Sequence, residues 1–173
     1  MSALLVAAVA SIAPAQAAAA LGSVQLTFEP GFATYRRDRP ERSSTLGIGG
    51  RAAVGLTDRF LLQVGWDEKH FGAEDPNVLA TIRSVGGVLW LDTLPVRPFV
   101  ELALAQVSLV PDVGEVYGPQ IVPELGVGID TMVTDWLASG VVIRYLPLFE
   151  TELSAGPAYA TISARLAIVL GAP

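Results

Sequence analysis

Seven charged side chains stand nearly alone inside apolar runs: Glu29, Arg51, Arg83, Glu101, Glu124, Arg144 and Arg165. Carboxylates and guanidiniums set this way could transfer protons, bind a charged ligand or pair with one another. A serine nucleophile needs a base beside it to take its proton. The only histidine is His70, in "DEKHFGAED", and no motif joins it to a serine. Nor can one histidine supply a multi-histidine metal site. The same segment offers Asp67, Glu68, Glu74 and Asp75 as hard oxygen ligands, without the ordered spacing of a calcium loop. It reads as a solvated acidic loop. No catalytic, metal or cofactor residue is assigned. "RRDRPERSS" carries Arg36, Arg37, Arg39 and Arg42. These could contact surface anions such as lipid phosphates, or simply keep a mixed-charge loop soluble.

What remains for the seven is mutual pairing, and the pattern around them says where. In "ELGVGIDTMVTDWLASGVVIRYLPLF" the apolar residues recur every second position, the period of a strand. Leu125, Val127 and Ile129 alternate with Glu124, Gly126 and Asp130; Val141, Ile143 and Tyr145 alternate with Val142 and Arg144. Thr134-Asp135 marks the turn between two strands. "GGRAAVGLTDRFLLQVGW" repeats the device at Thr57-Asp58, and "GGVLWLDTLPVRPFVELAL" turns around 92–95. Eight strands are predicted, over 23–35, 45–56, 59–67, 77–91, 96–108, 119–131, 136–147 and 157–170. Three connections are short and four are longer and polar.

Each charge sits on the face opposite the apolar one. Its neighbours there are small: Gly47, Gly49, Gly65, Gly87, Gly126, Gly128 and Gly140. Small neighbours leave room for long Arg and Glu chains in a narrow lumen, and buried charge must be paired. A salt-bridged barrel interior is predicted, with apolar side chains turned outward. The competing reading is a solvated strand face in a soluble sandwich. Trp66, Trp90, Trp136, Tyr35, Tyr145 and Phe149 fall near strand ends, where a membrane interface favours aromatic residues. Core packing is the alternative for any one of them.

Composition agrees with a membrane chain. Hydrophobic residues make up 51% and charged ones 16%, below the quarter usual for soluble domains. The net charge of −6 and the lack of a basic cluster disfavour nucleic acid, and the absence of cysteine excludes disulfides. "ALLVAAVASIAPAQAAAA" has the apolar stretch and small-residue end of a secretory signal. Residues 1–20 are assigned to it, with cleavage near Ala17–Ala20, and 21–173 to one barrel domain.

"GLTDRFLLQVGW", "RPFVELALA" and "PELGVGIDTMVTDWLASGVVIRYLPLF" resemble hairpins of small Gram-negative outer-membrane barrels. The likeness is to the transmembrane domain of outer-membrane protein A and its OmpX- and OmpW-like relatives, over residues 22–170. It implies an all-β, eight-stranded antiparallel up-and-down transmembrane β-barrel. Short periplasmic turns, longer extracellular loops and insertion by the outer-membrane assembly machinery go with it. Members commonly end in an aromatic residue, whereas this sequence ends in Leu170-Gly171-Ala172-Pro173.

The expected protein is thus a monomeric, non-enzymatic outer-membrane barrel with a structural or surface-recognition role. Its partners would be membrane lipid, including lipopolysaccharide. The alternatives are an OmpW-like conduit for small apolar molecules and a soluble lipocalin-like binder. The first needs an apolar lumen and the second a polar exterior.

Overall fold

A computed structural model of the chain describes residues 21–36, 42–71, 78–91, 96–111, 117–148 and 158–171. The segment assigned to a signal peptide lies outside them. Nine strand segments occur in order: β1 (Val24–Phe28), β2 (Gly31–Arg36), β3 (Arg42–Gly55), β4 (Phe60–Phe71), β5 (Val78–Trp90), β6 (Val96–Pro111), β7 (Tyr117–Thr134), β8 (Leu137–Pro147) and β9 (Ala158–Leu170). The first two are halves of one strand. Glu29 and Pro30 separate them, yet both keep ladder bonds: Glu29 N donates to Gly49 O, and Pro30 O accepts from Ala164 N. Proline has no N–H to give, so pairing thins there without ending.

All pairings are antiparallel, and β9 returns to β1 and β2, so the sheet closes with eight strands. From Val24 the partners run Val54, Leu62, Gly87, Leu102, Leu125, Tyr145, Ala160 and back to Thr34. The circuit therefore climbs ten residues. A stagger of this kind requires strands tilted by about 35–45° and gives an interior that side chains can fill.

Turn chemistry sits at one end. Thr57 Oγ1 accepts from the N–H groups of Arg59 (3.2 Å) and Phe60 (3.0 Å), and Thr134 Oγ1 accepts from Trp136 N (3.4 Å). Such hydroxyl-to-backbone bonds stabilise a tight reversal. Gly22 and Gly171 have φ of 80° and 73° beside the closing seam, a region that suits glycine. At the opposite end β4 runs on to Phe71, so Glu68 to Phe71, expected in a loop, continue the strand. Extended pairing there outweighed the polar composition.

The faces are inverted relative to a soluble barrel. Exposed outward residues include Leu26, Val64, Leu102, Leu125, Val127, Val141, Ile143 and Ile162. Trp136 and Phe60 lie near the lower rim of this wall, Trp66, Tyr145 and Phe32 near the upper. From Trp136, the residue before β8, to Tyr145 is nine residue steps, about 23 Å of axial height at the usual rise and tilt. That matches the apolar band of a transmembrane barrel, about 25 Å tall. Trp90, expected among interfacial aromatics, is instead inside the barrel and 2% exposed.

Candidate functional site

The lumen is filled in layers. Near the turn end pack Leu61, Val88, Trp90, Phe99, Met132 and Val169; toward the other end pack Phe71, Ile82, Val107, Val122, Leu146 and Tyr159. Between them lies a belt of charge. Among the described residues ten charged side chains are buried, five acidic and five basic: Glu29, Asp67, Glu101, Glu124 and Asp130 against Arg51, Lys69, Arg97, Arg144 and Arg165. Their formal charges cancel. An unpaired ion in such a site would carry a desolvation cost of several kcal/mol.

Arg144 is the hub. Its Nε donates to Glu101 Oε2 at 2.6 Å, its Nη1 to Glu29 Oε2 at 2.7 Å and its Nη2 to Glu29 Oε1 at 3.0 Å. A further bond from Nη2 reaches Glu101 Oε1 at 3.2 Å. The planar fork of the guanidinium thus holds two carboxylates on adjoining edges, with Nη2 shared between them. Arg51 joins Asp67 Oδ2 at 2.6 Å, Glu29 Oε2 at 3.4 Å and Glu124 Oε1 at 3.4 Å, and also donates to Ser84 Oγ. Arg165 reaches Glu29 (3.3 Å), Glu101 (3.4 Å) and Asp130 (3.6 Å). Its guanidinium also lies 4.4 Å from the Phe99 ring centroid. Lower down, Arg97 stands over Trp90 at 5.1 Å. These cation–π contacts join the belt to the apolar layer beneath it.

Small residues make this possible. A Cβ on Gly65 would fall 1.9 Å from Arg51 Nη1, and one on Gly126 2.7 Å from Glu101 Oε2. The glycines leave the long side chains their space. Gly87, expected on the charged face, faces outward against the Phe60 ring, with Gly86 inward.

Six of the seven charges singled out in the sequence meet in this belt: Glu29, Arg51, Glu101, Glu124, Arg144 and Arg165. Arg83 does not. It pairs across β4 with Trp66 and is exposed on the outer wall. The faces of β5 are offset by one residue from the expected alternation, which moves every side chain to the other face. Asp67, Lys69, Arg97 and Asp130 are luminal charges beyond the seven. The alternation already places Asp67 and Asp130 on the luminal face; Arg97 is in phase with Glu101, and Lys69 with Asp67 once β4 is extended. The side chains of Arg36 and Arg42, and all of Arg37 and Arg39, lie outside the described residues. His70 is on the outer side of the rim, its Nε2 3.1 Å from Glu68 Oε1.

No protein-family model matches the chain, and no curated protein matches it in sequence. Solved structures do match in shape. Neisserial surface protein A superposes with a TM-score of 0.71 at 16% identity, over 85% of this chain and 98% of that one. Ail, the attachment invasion locus protein of Yersinia pestis, gives 0.58 at 9% identity, over 87% and 99%. The outer membrane protein OprG of Pseudomonas aeruginosa gives 0.57 at 8% identity, over 89% and 99%. Closure with eight antiparallel strands and these similarities give one conclusion: the chain has the fold of the small eight-stranded outer-membrane barrels.

Proposed function

We propose that this chain is a non-enzymatic outer-membrane barrel whose lumen is a structural plug and whose work is done at its surfaces. The carrying observation is the lumen itself: among the described residues five cations and five anions are buried, and Glu29, Arg51, Asp67, Glu101, Glu124, Arg144 and Arg165 form an ion-paired belt between two apolar layers. Such an interior supports a wall and offers no continuous path to a solute. On this reading the belt of Glu29, Arg51, Glu101, Glu124, Arg144 and Arg165 replaces the aqueous channel of larger barrels. Fold neighbours named as surface and attachment proteins support a role in recognition through the connections at 37–41, 72–77, 112–116 and 149–157. Short turns would then lie in the periplasm and these connections outside the cell. An apolar conduit is disfavoured because its path would cross the charged belt. Purified protein in planar bilayers tests the reading: little stable ion current is expected. Large, long-lived openings would overturn the plug.

A further inference from the structure

The outer wall is uneven. On β3, Gly50 and Ala52 point outward between bulky flanks: Phe28 and Leu166 on one side, Val64 and Trp66 on the other. They floor an apolar groove of about 610 Å³ open to the lipid side. The groove lies within the apolar band and ends beside Trp66, near the rim that bears the longer connections. Across from Trp66 on β5 stands Arg83. It is exposed and has no ion pair or hydrogen bond among the described residues. The nearby carboxylate, Glu68, is engaged by His70 at 3.1 Å.

We infer that this face binds one membrane lipid with a net anionic phosphate headgroup, an acyl chain lying in the groove and the phosphate meeting Arg83 above it, in preference to a zwitterionic lipid. The inference rests on the membrane-barrel reading and adds a defined lipid site to it. Depth and charge select this occupant. The groove floor is recessed behind large side chains on both sides, where a thin flexible chain fits. The convex wall of a second barrel would touch Phe28 and Trp66 first and leave the floor empty. A guanidinium without a partner among the described residues, at the height where headgroups begin, complements a phosphate.

Trp66 is the reporter. Trp136, exposed at the other rim, is removed as Trp136→Phe; Trp90 is shielded in the lumen. The full mature chain is folded into phosphatidylcholine vesicles containing brominated phosphatidic acid or brominated phosphatidylcholine, and quenching of Trp66 emission is compared. Phosphatidic acid is expected to be favoured about fivefold, the factor one arginine near an anionic headgroup supplies. Arg83→Gln should bring that ratio to about one. Gly50→Leu should fill the groove and reduce quenching by both lipids. It is a clean variant because a Cβ at Gly50 meets only Thr27 O, at 3.6 Å. Heat-modifiable gel mobility verifies folding of each variant. Equal quenching by the two lipids in the Arg83-containing protein would overturn the site, as would unchanged quenching in Gly50→Leu. A second copy in the groove would appear as quenching that falls with protein density, which also overturns it. Failure of the membrane-barrel reading looks different: neither lipid would quench Trp66 at all.

Discussion

At the residue scale, Arg144 and Arg83 make opposite claims about the same side chain. Arg144 is 2% exposed and bonded to two carboxylates. Truncating it strands Glu29 and Glu101 in a low-dielectric interior. Arg144→Ala is therefore expected to lower folding stability in lipid vesicles by about 3–5 kcal/mol, read by denaturant titration. Arg83→Ala removes an exposed group without a partner among the described residues, and a change within about 0.5 kcal/mol is expected. Equal costs would mean that the two arginines share one environment. Glu101→Ala combined with Arg144→Ala should cost less than the sum of the single changes, because each single variant leaves the other's charge uncompensated.

At the element scale, alternation decides what each strand tolerates, and glycines give the sharpest contrast. Gly65→Val would push into Arg51 and should cost about 1–3 kcal/mol, as overpacking does. Gly50→Val points outward into open space and should be nearly neutral. On the lipid face, Leu125→Arg should cost roughly 2–4 kcal/mol near the midplane. Unfolding curves of the three variants in one vesicle preparation check this ordering. The same alternation explains what the sequence made legible. The faces of β6 and β7 are legible because Glu101 and Glu124 alternate with Leu and Val residues that all lie on the other face. β5 misled because both of its faces look alike: Val85 and Leu89 point out, while Ile82, Val88 and Trp90 point in to the apolar layers. A lone arginine on such a strand does not reveal its direction. Lys69 is hidden for another reason. The polar run "EKH" after Asp67 reads as loop, although pairing to β3 and β5 carries it as strand.

At the scale of the whole molecule, an apolar wall and a neutralised interior are two parts of one arrangement. Closure leaves no free edge, so backbone groups in the band are paired within the sheet. The strand ends Arg36 and Arg42, Phe71 and Val78, Pro111 and Tyr117, and Pro147 and Ala158 lie at one end of the barrel; Gly55 and Phe60, Trp90 and Val96, and Thr134 and Leu137 lie at the other. On intact cells, labelling sites introduced at 39, 75, 114 or 153 should react. Sites at 58, 93 or 135 should react only after the outer membrane is opened. The reverse pattern would invert the proposed orientation.

The central claim is that charge faces in and apolar side chains face lipid. The chain has no cysteine, so one introduced residue at a time can be spin-labelled. Along β6, positions 100 to 105 in lipid vesicles give the most direct measurement: accessibility of each label to oxygen dissolved in the hydrocarbon. High values are expected at 100, 102 and 104, where Val100, Leu102 and Leu104 are exposed. Low values are expected at 101, 103 and 105, where Glu101, Ala103 and Ala105 are buried. A flat profile, or one shifted by a residue so that position 101 is the lipid-exposed one, would contradict the account.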